Sequence, residues 1–217
     1  MVKIKSLTTF VVGPFSFFAL GVYFIAVRFA YIISNKILLT ESVINMFDGF
    51  DFTGFWNDCE YSDKHYHDVS QSDELIAETE KELGYKLPKS YIWLMKQHNG
   101  GLVNKDSFPT NTPTSWAYDH VAIYGILGIS KDKRCSITRD TRLMVGEWDY
   151  PDIGVAICDC PSGGHDMIFL DYRECGPMGE PKVVHIDQEF DYEITHLADT
   201  FEEFIMGLLP SDNFDIE

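Results

Sequence analysis

An α+β architecture, with a mainly antiparallel central sheet flanked by helices, is predicted from three features of the chain. Residues 72–101 hold two short helical patterns joined by a tight turn. From residue 120 onward the apolar period changes to two, and a capping-box signal at Thr200 and Glu203 opens a closing helix. Helices first, strands next and a helix last is a segregated order rather than a βαβ alternation.

The N-terminal 45 residues differ in kind from the rest. Ser6 to Val27 is a run of 22 residues without formal charge, and Phe29 to Ile33 is again apolar. A helix needs about 20 apolar residues to cross a bilayer, so a hydrophobic helix at about 7–33 is expected to span one. Its Gly13, Pro14 and Gly21 are tolerated in membrane helices, and Arg28 can snorkel. Two rivals stay open. One is a secretory signal, with Lys3 and Lys5 as its basic start and Ala19-Leu20-Gly21 as a weak cleavage site. The other is a dispensable extension.

Residues 46–217 are expected to form one acidic domain. Between 46 and 71 the aromatics Phe47, Phe50, Phe52, Phe55, Trp56, Tyr61 and Tyr66 interleave with acids, and a short helix is expected around Thr53–Tyr61. Ser72 then caps a helix with Asp73 and Glu74 in its first turn and Leu75, Ile76, Thr79 and Leu83 as its stripe. Gly84 supplies the left-handed residue that ends it. Leu87-Pro88 opens a second helix with proline at its first position, and Tyr91, Leu94 and Met95 continue an apolar face. Asn99-Gly100-Gly101 closes it with residues that accept positive φ.

Strands are predicted at His120–Ile126, Gly154–Cys160, Met167–Tyr172 and Lys182–Ile186, with Pro161-Ser162-Gly163-Gly164 as a hairpin connection. The closing helix buries Phe201, Phe204, Ile205 and Leu208.

Charge narrows the function classes. Residues 1–45 carry four Lys/Arg against one Asp/Glu, a net +3, whereas the remainder carries thirteen against thirty-three, a net −20. Affinity for phosphate comes from Lys and Arg, so this acidic domain is a poor nucleic-acid ligand and suits a basic partner. Five cysteines, an odd number in a body that needs no staples, lean the acidic domain toward the cytoplasm.

The run Ile76…Glu80…Leu83-Gly84…Leu87-Pro88…Tyr91…Asn99-Gly100-Gly101 resembles the signature of the SUKH superfamily. That superfamily includes Smi/Knr-type regulators of fungal cell-wall synthesis and many bacterial toxin-immunity proteins. Asp152-Ile153-Gly154, Ser162-Gly163-Gly164-His165-Asp166, Leu170-Asp171-Tyr172, Gly179-Glu180-Pro181 and Phe201–Leu208 are similar to bacterial members. The resemblance implies one central sheet, no catalytic centre, and neutralisation of a toxin, often a nuclease, by direct binding. The hydrophobic N-terminal segment departs from the soluble pattern of the family.

Other chemistry is weaker. Cys59 with His65-Tyr66-His67, or Cys158-Asp159-Cys160 with His165, offers zinc-ligand types, but C-x-C is not the spacing of structural zinc pairs. Gly164-His165-Asp166 with Asp171 could hold a cation that activates water, as in a metal-dependent hydrolase. The turn reading of Gly163-Gly164, with His165 and Asp166 either fixing the turn by hydrogen bonds or lining a partner-facing groove, is preferred. Neither a nucleophile elbow nor a phosphate-cradling loop is present.

The expectation is therefore an immunity protein that binds a cognate toxin with a basic surface, with no metal or cofactor. Its partner-binding residues are expected to be Trp116 in the polar loop 110–119, His165, Asp166, Asp171, and the acidic run Asp187, Glu189 and Asp191. Gly84, Leu87, Pro88, Tyr91, Asn99, Gly100 and Gly101 are expected to be structural. The alternative is a membrane-tethered scaffold of envelope synthesis, and the membrane anchor is common to both readings.

Overall fold

The computed structural model describes residues 46–214. The hydrophobic helix expected at 7–33 lies outside them; among the described residues no helix is long and apolar enough to cross a membrane. The strands are β1 (Trp56–Asn57), β2 (Gly101–Val103), β3 (Ser107–Pro109), β4 (His120–Ala122), β5 (Gly125–Ile126), β6 (Gly154–Asp159), β7 (Asp166–Asp171), β8 (Lys182–Asp187) and β9 (Glu193–Ala198). The helices are α1 (Glu60–His65), α2 (Asp73–Leu83), α3 (Lys89–Gln97), α4 (Ile137–Glu147) and α5 (Phe201–Gly207). Seven strands form one sheet in the order β1-β2-β5-β6-β7-β8-β9, every neighbour antiparallel. β3 and β4 pair separately as an antiparallel ribbon. The α+β class with a mainly antiparallel sheet is what the sequence predicts.

The helical pair forms as its caps require. Ser72 accepts a hydrogen bond from the Leu75 N–H at 3.3 Å, and Gly84, at φ 81°, returns its own N–H to the Glu80 carbonyl. Pro88 sits one place earlier than expected: it is the N-cap of α3, and its carbonyl accepts from the Ile92 N–H at 3.0 Å. Glu80 explains why the motif holds together. Its buried carboxylate accepts from the Leu87 N–H at 3.1 Å and pairs with Lys86, so it bridges the turn between α2 and α3. Tyr91 is fully buried and donates its hydroxyl to the Leu127 carbonyl at 2.6 Å, which bolts α3 to the sheet region.

Asn99 is the second bolt. Its amide donates to the carbonyls of Val69 and Ile129, each at 2.9 Å, and its Oδ1 accepts from the Ile129 N–H at 2.8 Å. Gly100 then turns at φ 75° so close to Gly128 that a Cβ would lie 2.7 Å from the Gly128 nitrogen. Only glycine meets both demands.

Four expectations need correction. No helix covers Thr53–Tyr61. Gly54 turns at φ 68°, Phe50, Phe52 and Phe55 cluster edge-to-face, and Trp56–Asn57 pairs with β2. The helix there, α1, starts only at Glu60. The stretch His120–Ile126 is two strands of two different sheets. It breaks where the Ile123 N–H bonds the Asp106 carbonyl and the Tyr124 N–H bonds the Asp159 carbonyl. Strict alternation does not describe β6, β7 and β8. All but their outer residues Asp159 and Lys182 are buried, because both faces of the sheet centre are covered. Finally, α4, β9 and the short β2 and β3 have no counterpart among the predicted elements.

The closing helix is as expected. Thr200 Oγ1 accepts from the Glu203 N–H at 3.1 Å, and Glu203 reaches back to the Asp199 N–H at 3.2 Å. Phe201, Phe204, Ile205 and Leu208 are buried, and α5 packs on α3, β3, β8 and β9.

Candidate protein-binding groove

The connection from β3 to β4 is a long loop with internal ties. The Thr110 N–H bonds the Asp119 carbonyl, the Thr114 N–H bonds the Ala117 carbonyl, and Thr114 Oγ1 accepts from the N–H groups of Trp116 and Ala117. Such ties hold a loop in one shape while leaving its side chains outward. Trp116 is 53% exposed and Tyr118 is 74% exposed, which is unusual for large aromatics.

Asp187, at the end of β8, moors this loop. It is 2% exposed and accepts from the Ser115 N–H at 2.8 Å, the Ser115 hydroxyl at 2.9 Å and the Glu189 N–H at 3.1 Å. Three donors satisfy the buried carboxylate, so it is not the unrelieved member of an acidic run that the sequence suggests. The same carboxylate caps a short 3-10 turn, Gln188–Phe190, that presents Glu189 and Phe190 outward. Asp191 closes the turn at φ 57°, a conformation that Asp accepts better than most residues.

Loop and turn together wall an open groove of about 1140 Å³. Trp116, Tyr118 and Phe190 give it apolar surface, and Asp119 and Glu189 give it charge. His165 enters from the β6–β7 connection, its Nδ1 2.8 Å from Glu189 Oε1, with both groups about half exposed. Phe214 stacks on His120 at the far wall, with ring centroids 4.4 Å apart. Among the described residues, neither lysine nor arginine lines the groove.

Of the residues singled out in the sequence, Trp116, His165 and Glu189 meet in this groove, Asp187 supports it from below, and Asp191 is exposed beside Phe190. Asp166 is not at the surface. It is 2% exposed and lies 2.8 Å from buried His185. Asp171 stands at the other end of β7, where it accepts from the Arg173 N–H and guanidinium. Burial alone would raise the Asp171 carboxyl, but the bonds and charge of Arg173 outweigh it and hold the group below its ordinary range. His165, Asp166 and Asp171 therefore do not converge, and the hydrolase constellation considered from the sequence has no common centre. Among the described residues, neither His65, His67 nor His165 belongs to a ligand-like cluster of three.

Tyr118, Phe190, Ser115 and Phe214 escape a sequence reading. The signal for Phe190 is an aromatic flanked directly by Glu189 and Asp191 in an acidic stretch, a place where a core residue is not expected.

A sequence profile of the SMI1-KNR4 cell-wall family matches residues 73–205, more than half of the chain. The chain belongs to this family. No curated protein matches it. The SMI1-KNR4 match opens at the first residue of α2 and ends within α5, so it takes in Glu80, Tyr91 and Asn99 as well as the groove from Pro113 to Phe190.

Proposed function

We propose that this SMI1-KNR4 family protein is a non-catalytic binding protein, an immunity protein that neutralises a cognate toxin by seating a basic surface of it in the groove. The observation that carries the reading is the groove itself: three outward aromatics and two carboxylates with no lysine or arginine beside them among the described residues, on a domain of net charge −20. Exposed Trp and Tyr are favoured anchors of protein interfaces, and carboxylates around them that have only histidine partners favour a cationic partner. The family supports an immunity or cell-wall-regulatory role. The exposed aromatics and carboxylates of the groove support the former.

Co-purification with the basic C-terminal domain of a toxin encoded beside this gene tests the proposal. Binding at low salt that Trp116→Ala or Phe190→Ala weakens by tenfold or more, about 1.4 kcal/mol, is the expected result. Absence of binding at low salt overturns it. The charge-free run Ser6–Val27 favours a second reading, in which the domain is held at a membrane as an envelope scaffold. A fragment lacking residues 1–45 that still protects cells from the toxin argues against any need for that tether.

A further inference from the structure

Three adjacent strands bring together metal-ligand side chains that lie far apart in the chain. Cys160 follows β6, Asp166 opens β7 and His185 lies in β8. Asp159 pairs with Met167, which sets Cys160 beside Asp166. His185 pairs with Ile168, two residues along β7 from Asp166, so alternation turns all three toward one face. One potential ligand atom from each lies within 4.8 Å of the other two.

All three residues are at most 2% exposed. His185 Nε2 is 2.8 Å from Asp166 Oδ2, yet His185 Nδ1 and Asp166 Oδ1 have no hydrogen-bond partner. Buried polar atoms are almost always paired, so an unpartnered Asp166 Oδ1 beside a buried thiol and imidazole calls for a further bonding partner.

We propose that Cys160, Asp166 and His185 form a structural zinc site that clamps β6, β7 and β8. One thiolate, one imidazole and one carboxylate are the donor types that zinc takes, and magnesium or calcium would reject the sulfur. Tetrahedral zinc with bonds of about 2.0–2.3 Å sets its donors roughly 3.3–3.6 Å apart. The side chains therefore close on the ion by small rotations. The His185–Asp166 hydrogen bond is exchanged for one bond from each residue to zinc, and the Cys160 thiol releases its proton to solvent. Three protein donors leave one position of the tetrahedron to a further ligand. Asp187 pairs with Asp166 in the sheet register and carries Ser115, so the clamp stiffens the floor of the groove.

The full chain, produced without a histidine tag, is analysed for metal by mass spectrometry, then stripped and titrated with cobalt(II) and with zinc. One zinc per chain, a thiolate-to-cobalt charge-transfer band, and a rise in Tm on adding zinc are expected. Cys160→Ser loses both the band and the zinc-dependent rise, whereas Cys59→Ser and Cys135→Ser keep them. A wild-type chain with no cobalt band and no zinc-dependent rise overturns the site. So does a folded Cys160→Ser variant that retains both. If Cys160→Ser does not fold, the wild-type titrations together with Cys59→Ser and Cys135→Ser decide the question.

Discussion

Asn99 shows how a short surface-looking turn motif becomes a structural bolt. Its side chain satisfies two carbonyls and one N–H drawn from segments thirty residues away on either side. Asn99→Ala leaves the Ile129 N–H and its carbonyl without these partners in a buried setting, a loss of about 2–3 kcal/mol. Urea denaturation should show this as a lower midpoint at unchanged slope. Asn99→Asp should recover little, because a carboxylate can accept from Ile129 but cannot donate to either carbonyl. A second residue-scale effect concerns His98. It is stacked between Trp56 and His67, each 4.2 Å away centroid to centroid, with Asp58 3.1 Å from its Nε2. Burial, then the neighbouring His67, lowers its pKa, and Asp58 and the Gly100 carbonyl only partly oppose this. The folded state thus prefers neutral His98. Its contribution is full above the ordinary histidine pKa of about 6.5 and is lost as pH falls through the lowered value. Thermal melts between pH 7.5 and pH 5 should fall less steeply for His98→Phe than for the parent chain.

Among the elements, the Ser115–Asp187 tie joins the β3–β4 loop to the end of β8. Asp187→Ala removes all three hydrogen bonds that position Ser115 and Glu189, while leaving the β7–β8 ladder in place. Hydrogen exchange should speed up in residues 110–119 and 188–191 by tenfold or more, the change expected for losing about 1.4 kcal/mol of local stability, and much less in β6 and β7. Uniform acceleration across the sheet would show that Asp187 supports the fold as a whole instead. This tie also marks where sequence reasoning stops. Caps and breakers act over three or four residues, so Ser72, Gly84, Thr200 and Glu203 announce α2 and α5 reliably. By contrast α4 has only Ile137, Thr141 and Met144 as buried contacts, separated by charged residues, and its N-cap Ser136 makes no side-chain capping bond. The two-residue β1 and β5 exist only because neighbouring strands pair with them. The groove follows the same rule. Trp116 is legible as an aromatic in a polar loop, but its meeting with His165 and Glu189 depends on Asp187 reaching across 72 positions to Ser115.

At the scale of the molecule the surplus of acid is not evenly balanced. Five of the thirteen cations in residues 46–217 lie between 131 and 142. Some are already committed, Lys131 to Glu78 at 2.8 Å and Arg142 to Glu82 at 2.6 Å. Among the described residues the groove is lined by none of them, so the proposed basic partner would meet an attractive field there that no lysine or arginine offsets. Fields of this kind act on encounter, whereas desolvated aromatic anchors act on dissociation. The two contributions are therefore separable by kinetics. Raising salt from about 20 mM to about 500 mM should lower the association rate constant with the basic partner by tenfold or more, since the Debye length shrinks several-fold over that range. The dissociation rate constant should change little. Asp119→Asn with Glu189→Gln should flatten that salt dependence, and Trp116→Ala should raise dissociation while leaving the salt dependence as it was. Surface plasmon resonance across a salt series reads both. An association rate indifferent to salt would mean that the net charge of −20 serves solubility alone, and that recognition rests on the aromatics of the groove.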